Sequence, residues 1–397
     1  MNTCLLRLLL ALTLLFTGNA WAADDAAPRI GVVTMQPGEV FFERFGHDAL
    51  VVADPDGGQL TSYNFGFFDP SEPDFVGNFV RGRMMYYLVA LPLEEDLAQY
   101  RNAGRGVSIQ WLDLPPPQAR ALAANLAERA KPENARYRYD YFTANCSTMV
   151  RDALDRAMDG GLQSQLAGRS RGNSYRSEAV RLASPSPWMW PGFDLALGPW
   201  ADQPLSRWQE AFVPMRLADG LREAHNGAGR PLVLGEQELL PQRLPPEPGE
   251  YARPWWPWLL LGLALGGVIF ALRNRQRLLG GCALPFWLFC GATGLLLTYL
   301  WGFSEHRATW ANRNLLLLCP LALALLPGAW RLLRGRQPGR VFTGLLWAVA
   351  AIATLSLPLN WLSLQAQFNV QWIALLLPIH LAFAATLGRR DLAARAR

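Results

Sequence analysis

Five long apolar runs in the last third of this 397-residue chain constrain its fold more than any other feature. Each is close to the ~20 residues that a helix needs to cross the hydrocarbon core of a bilayer. The sequence therefore predicts an α-helical transmembrane bundle of about five helices at 255–388. The runs are 255–272, 278–303, 315–333, 341–359 and 372–387.

The arginines between these runs predict the orientation of the bundle. Loops 273–277 and 331–340 and the tail 389–397 are rich in Arg, whereas loops 304–314 and 360–371 carry only Arg307 and Arg313. By the positive-inside rule, the Arg-rich loops and the tail are cytoplasmic. The net charge of +5 therefore reflects membrane topology, and we expect no nucleic-acid partner.

The N-terminus predicts export of the chain that follows it. Arg7, the apolar core 8–16 and the ending Ala20-Trp21-Ala22 are typical of a secretory signal peptide at 1–22. The alternative is an uncleaved anchor. We expect an exported domain at 23–230 and a linker rich in Pro and Glu at 231–254.

The exported stretch has a mixed pattern. Residues 30–33, 49–53, 60–65 and 107–111 have the composition or alternation of short strands separated by turn residues. Pro115-Pro116-Pro117 then opens one predicted helix, and Asn145 precedes another. The fold class predicted for this domain is α+β.

Cys146 is the only thiol in the exported domain, so no disulfide can form within it. Asn145 is a preferred N-cap, which places the thiol at a helix start, where the dipole favours an anion. This position predicts a lowered pKa and a nucleophilic thiolate. The alternative interpretation is a small buried cysteine. The other cysteines fall in the signal or in apolar runs: Cys4, Cys282, Cys290 and Cys319.

His47 is the predicted base for this thiol, because it begins an exported strand after Gly46. Asn64, on the next predicted strand, would orient the imidazole if the two strands pair. With this set, a thiolate attacks an acyl ester, and the backbone N–H of Cys146 stabilises the oxyanion. The exported domain has no cluster of His and Cys at metal-ligand spacing, and we expect neither a metal nor a cofactor.

Several motifs resemble the Lnb family, and more distantly the circularly permuted papain-like enzymes that include lecithin:retinol acyltransferase and NlpC-type proteins. The matching residues are Phe45-Gly46-His47, Tyr63-Asn64-Phe65-Gly66, Gly82 with Tyr86, 139–148, 194–198, Asp202, Trp208 and Phe212-Val213-Pro214. The resemblance implies a permuted papain-like catalytic domain in the periplasm and a multi-pass anchor in the bacterial inner membrane. It also implies transfer of an acyl chain from a phospholipid donor to the N-terminal amine of a lipoprotein acceptor.

On this interpretation the catalytic residues are Cys146, His47 and Asn64, and the chain is a cysteine-dependent acyltransferase. A second predicted site is formed by polar residues in the loop between the second and third spans, on the periplasmic side. Polar groups near membrane depth are often functional. Two alternatives stay open: a cell-wall thiol peptidase or amidase with the same dyad, and a non-enzymatic membrane partner protein. The supporting or substrate-binding residues are Asn145, Tyr63, Ser147, His306, Asn312 and Asn314.

Overall fold

The computed structural model of the protein describes residues 27–361 and 366–395. The predicted signal peptide, 1–22, lies outside these residues. Contacts divide the described chain into two compact units. We call the first the sheet unit, which comprises the chain up to Ser71, Met84–Arg171 and Ser206–Glu247. We call the second the membrane unit, which comprises Glu72–Arg83, Gly172–Leu205 and the chain from Pro248 onward.

The sheet unit is built on a seven-stranded antiparallel sheet with strand order β6-β4-β3-β2-β1-β5-β7. The four predicted strands are confirmed as parts of β1, β2, β3 and β5. The strand β7 lies within the stretch predicted as a linker and pairs with β5 at the edge of the sheet. The sequence did not predict this strand because the residues around it are rich in Pro and Glu. The strands are β1 (Arg29–Met35), β2 (His47–Ala53), β3 (Leu60–Phe67), β4 (Met85–Pro92), β5 (Val107–Leu112), β6 (Arg136–Arg138) and β7 (Val233–Leu240).

The α-helices before residue 255 have at most 14 residues, whereas those after it include four longer, apolar ones. In chain order the α-helices are α1 (Phe75–Arg81), α2 (Leu93–Ala103), α3 (Pro116–Arg129), α4 (Cys146–Ala157), α5 (Gly161–Leu166), α6 (Tyr175–Ala183), α7 (Met189–Ala196), α8 (Arg207–Glu210), α9 (Pro214–Glu223), α10 (Trp256–Ala271), α11 (Gln276–Gly302), α12 (Leu326–Leu333), α13 (Arg340–Thr354), α14 (Ser356–Trp361) and α15 (Val370–Arg395). Short 3-10 helices lie at Phe41–Glu43, Pro199–Asp202, Leu272–Asn274, Arg307–Thr309, Arg313–Leu316 and Pro320–Leu325.

The sheet is buried on both faces, and strand β2 contributes to both hydrophobic clusters. Leu50 and Val52 belong to the cluster that contains Val150 and Leu154 of α4. Ala49 and Val51, at the alternate positions, belong to the cluster that contains Leu93 and Leu97 of α2. Because successive strand residues face opposite sides, α2 and α4 lie on opposite faces of the sheet.

The membrane unit contains five candidate spans, which confirms the predicted helical bundle. Its interior is packed with aromatic rings, such as Trp287 against Phe342 and Phe383. A Cβ at Gly262 would lie 2.6 Å from the backbone oxygen of Ala374, so this glycine permits close approach of α10 and α15. The candidate spans are Trp256–Asn274, Gln276–Gly302, Arg313–Leu333, Arg340–Asn360 and Val370–Gly388.

Two segments of the predicted exported domain belong to the membrane unit rather than to the sheet unit: Glu72–Arg83 and Gly172–Leu205. Buried polar contacts hold the second of them. Asp194 Oδ2 accepts hydrogen bonds from Trp372 Nε1 at 3.0 Å and Gln371 Nε2 at 2.5 Å. Arg176 donates to the Asp202 carboxylate through Nε at 2.7 Å and Nη2 at 2.9 Å. Long-range contacts of this kind leave no periodic trace in the sequence.

Candidate active site

His47 and Asn64 are brought together by the pairing of β2 with β3. The register places Ala49 opposite Asn64, and the His47 Nε2 lies 3.0 Å from Asn64 Oδ1. Gly46 precedes the strand with φ +77°, and a Cβ there would lie 2.9 Å from the backbone oxygen of Met35. Only glycine therefore fits at position 46, in the turn that precedes His47.

Asp96 fixes the orientation of the Asn64 amide. Asn64 Nδ2 donates to Asp96 Oδ2 at 2.9 Å and to Ser62 Oγ at 3.0 Å, and Ser62 Oγ donates to the same carboxylate oxygen at 2.7 Å. A carboxylate only accepts hydrogen bonds, so the amide nitrogen must face Asp96 and the amide oxygen must face His47. Asn64 Oδ1 can only accept a hydrogen bond, so His47 Nε2 must donate one to it. The neutral imidazole therefore carries its proton on Nε2 and its free lone pair on Nδ1.

The sequence interpretation missed Asp96, although a signal for it exists. Leu93, Asp96 and Leu97 are the three buried residues of α2, at the spacing of one helix face. An acidic residue in an apolar stripe is costly to bury without a partner, which marks it as part of a polar network.

Asn145 caps the helix that carries Cys146, as predicted. Asn145 Oδ1 accepts from the Thr148 N–H at 2.9 Å, and Thr148 Oγ1 accepts from the Asn145 N–H at 2.9 Å, which forms a capping box. Asn145 Nδ2 also donates to the backbone oxygen of Phe212 at 2.8 Å. The structure therefore places Asn145 as a group that positions the helix start.

Ser147 ties this helix start to β2. Its hydroxyl lies 2.7 Å from both Asp48 Oδ2 and the backbone oxygen of Ala211. Thr34 Oγ1 donates to the other oxygen of the Asp48 carboxyl at 2.8 Å. Because Asp48 follows His47, these bonds hold the Cys146 helix beside the strand that begins with the predicted base.

The thiol of Cys146 lies against the ends of β2 and β3. The backbone N–H groups of Asp48, Ser147 and Cys146 itself hydrogen-bond to its thiolate form. A Cβ at Gly66 would lie 3.8 Å from the Cys146 Cβ. The structure thus gathers Cys146, the strand start at His47, and Asn64 in the sheet unit. Among the described residues the His47 ring makes no hydrogen bond besides the one to Asn64, so Nδ1 is available as a proton acceptor.

The predicted lowering of the Cys146 pKa is wrong. Burial and the charge of Asp48 raise the pKa of this thiol to about 12, and they outweigh the backbone N–H groups at the helix start, which lower it. Burial lowers the pKa of His47, although the bond to Asn64 opposes this shift. At neutral pH the resting pair is therefore a thiol and a neutral imidazole. Burial also raises the pKa of Asp48 to about 6.

A buried hydroxyl without a hydrogen-bond partner lies near Gly66, as Cys146 does. Tyr137 OH has no partner among the described residues, and it lies 3.9 Å from the point where a Gly66 Cβ would stand. The Cys146 Cβ is within 4 Å of the same point. A buried, unpaired hydroxyl is costly and calls for an explanation. Sequence reasoning did not single out Tyr137, because only the pairing of β6 with β4 brings it here.

The remaining predicted residues lie elsewhere. Tyr63 packs in the core cluster with Leu50 and Leu88. In the membrane unit, His306 Nε2 donates to the backbone oxygen of Phe79 at 3.0 Å. Asn312 Nδ2 and Asn314 Nδ2 both donate to the backbone oxygen of Leu195, at 2.7 and 3.1 Å. These bonds anchor the segments Glu72–Arg83 and Gly172–Leu205, and a role in lipid binding stays a prediction.

The fold defines a multi-pass membrane protein whose α+β domain holds Cys146 at a helix start and an imidazole, His47, oriented by Asn64. The chain belongs to the Lnb family. The family model of the Lnb N-terminal periplasmic domain matches residues 19–180, and that of the Lnb transmembrane domain matches residues 250–391. No curated protein and no solved structure matches the chain. The suspected family and the α+β class with membrane spans are thereby confirmed, and the N-terminal domain is periplasmic.

Proposed function

We propose that this protein is a thiol acyltransferase that moves an acyl chain from a phospholipid to the N-terminal amine of a lipoprotein. The observation that supports it most is the chain of hydrogen bonds from Asp96 through Asn64 to His47, at 2.9 and 3.0 Å. These bonds leave Nδ1 as the basic nitrogen of His47, the residue before Asp48, whose backbone N–H approaches the sulfur of Cys146. Cys146 is the only thiol among the described residues of the sheet unit. A nucleophile, a base and a group that orients the base are the set needed for covalent acyl transfer.

The first half-reaction forms an acyl thioester. The Cys146 thiol gives its proton to His47 Nδ1 as the sulfur attacks the ester carbonyl of the phospholipid. Because the thiol has a raised pKa, proton removal accompanies the attack rather than preceding it. When the tetrahedral intermediate collapses, the carbon–oxygen bond breaks. His47 then returns the proton to the alkoxide of the departing lysophospholipid.

The oxyanion of that intermediate has donors available beside Cys146. The backbone N–H of Cys146 is one, as the sequence predicts, and the Asp48 N–H also reaches the sulfur. We assign Tyr137 OH as a further donor, because it is buried and unpaired and lies within 4 Å of the same point at Gly66 as the Cys146 Cβ. A donor of this kind contributes about 3 kcal/mol to the stability of the transition state.

The second half-reaction transfers the acyl group to an amine. The neutral N-terminal amine attacks the thioester carbonyl, His47 Nδ1 takes a proton from it, and the carbon–sulfur bond breaks. His47 then gives that proton to the sulfur, which regenerates the resting pair. Conversion of a thioester to an amide is downhill, so the cycle requires no cofactor.

Acylation of a lipopeptide by the full-length protein tests this proposal. The protein is reconstituted in phospholipid vesicles with a diacylated lipopeptide, and mass spectrometry detects the N-acylated product. We expect product with the wild type and with Cys282→Ala, which removes an exposed thiol elsewhere in the chain. We expect none with Cys146→Ala or His47→Ala. Cleavage of cell-wall peptides without any acylated lipopeptide would instead support a thiol peptidase or amidase.

A further inference from the structure

Helix α1 presents an apolar face that the proposed chemistry does not use. Val76, Phe79 and Val80 are 71%, 39% and 44% exposed. Their spacing of three and four residues places them on one side of the helix. A clustered apolar face on a short helix indicates contact with another apolar phase.

This helix is fixed to the loop that follows the second span. The Glu305 N–H donates to the backbone oxygen of Arg81 at 2.8 Å, and His306 Nε2 donates to that of Phe79 at 3.0 Å. Arg83 Nε forms an ion pair with Glu305 Oε1 at 2.6 Å. Three contacts at one end of a seven-residue helix restrict how far it can move from the loop.

Gly82 shows how close this attachment is. It caps the helix with φ +75°, and a Cβ there would lie 2.9 Å from the His306 backbone nitrogen. Only glycine combines this backbone conformation with this approach. The close contact between the end of α1 and the loop therefore requires glycine at position 82.

The loop itself lies at the end of a membrane span. Its span, Gln276–Gly302, ends three residues before Glu305. Trp301 and Phe303 are 51% and 73% exposed at this end, as aromatic residues are at a membrane boundary. The α1 face is thus held beside the end of a candidate membrane span.

We propose that the face formed by Val76, Phe79 and Val80 inserts into the outer leaflet of the bilayer, with glycerophospholipid as its partner. Continuity with the membrane surface favours lipid over a soluble protein or a second copy of this chain. The inserted segment is the connection between β3, which carries Asn64, and β4. The inference does not depend on acyl transfer, because insertion requires no reaction.

Photo-crosslinking to lipid tests the insertion. p-Benzoylphenylalanine replaces Val76 in the full-length protein, which is reconstituted in vesicles of phosphatidylethanolamine and phosphatidylglycerol. The matched control carries the same group at Leu234, which is 67% exposed on β7. Both variants are first shown to unfold at the wild-type temperature. After irradiation, we expect several-fold more phospholipid adduct at position 76 than at position 234.

Two results would overturn the proposal. Equal lipid yields at the two positions would mean that exposure alone determines capture. Crosslinks from position 76 to a second copy of the protein, with little lipid adduct, would mean that this face mediates self-association. Neither result depends on enzymatic turnover, so failure here is distinguishable from failure of the proposed function.

Discussion

Replacement of Asp96 by Asn exchanges an oxygen that only accepts for an amide that can donate. Asp96 Oδ2 accepts from Asn64 Nδ2 at 2.9 Å. If an amide nitrogen at position 96 faces Asn64, the Asn64 side chain turns its oxygen toward it and its nitrogen toward His47. His47 Nε2 must then accept, and the imidazole proton moves to Nδ1. That nitrogen can no longer take the thiol proton.

The size of the effect follows from the hydrogen bond that is lost. A bond to a charged group contributes about 1.5–3 kcal/mol. Since ~1.4 kcal/mol corresponds to a tenfold change in rate, Asp96→Asn should slow thioester formation about 10- to 100-fold. Single-turnover acylation of Cys146, followed by mass spectrometry, measures the rate. Nitrogen-15 NMR of the imidazole reports which ring nitrogen carries the proton.

Ser62→Ala is the matched control for this substitution. It removes a second donor to Asp96 Oδ2 on the same strand but leaves the Asn64–His47 bond in place. We expect the rate to fall less than about tenfold and the proton to stay on Nε2. The reasoning is refuted if Asp96→Asn acylates at the wild-type rate, or if it slows while the proton stays on Nε2.

Three further predictions concern the hydroxyl, the buried carboxyl and the pH profile. Tyr137→Phe should lower kcat about 100-fold with no loss in the free energy of unfolding, since the hydroxyl has no partner to lose; an unchanged kcat would exclude it as a donor. Burial raises the pKa of Asp48 in the folded protein to about 6, whereas the pKa of this carboxyl in the unfolded chain is ~4. The folded protein therefore binds the proton more tightly, and the stability that this group contributes is complete below pH ~4 and is lost as the pH rises through about 6. Asp48→Asn should therefore remove about 3 kcal/mol of pH dependence from chemical unfolding between these values, and parallel pH curves for the two proteins would contradict this. Because burial lowers the pKa of His47 and raises that of Cys146 to about 12, kcat/KM for acylation should decline only below pH ~6.5; a decline that begins above neutral pH would contradict it.

The parts of the site that the sequence predicts are those with local signals. Asn145 and Cys146 sit at a recognisable helix start, and His47 and Asn64 fall on strands whose composition and flanking turns are typical of strands. Once β2 and β3 pair, the contact between His47 and Asn64 follows from the register. The five spans were predicted because hydrocarbon sets a minimum length for a helix.

The parts that the sequence does not predict depend on tertiary contacts. Asp96 reaches Asn64 from α2, and Tyr137 reaches Gly66 only through strand pairing. The Cys146 pKa was mispredicted because helix position is local, whereas desolvation and the approach of Asp48 arise in the folded chain. The segments Glu72–Arg83 and Gly172–Leu205 join the membrane unit through single hydrogen bonds and ion pairs, which have no sequence period.

Capture of an acyl group on Cys146 tests the central claim most directly. The full-length protein is incubated with phospholipid but without an amine acceptor, and the peptide that contains Cys146 is examined by mass spectrometry. The proposed function predicts an added fatty acyl group on this sulfur, released by hydroxylamine and absent in His47→Ala. Acylation of a lipopeptide acceptor by a protein whose Cys146 never carries an acyl group, or by Cys146→Ala, would contradict it.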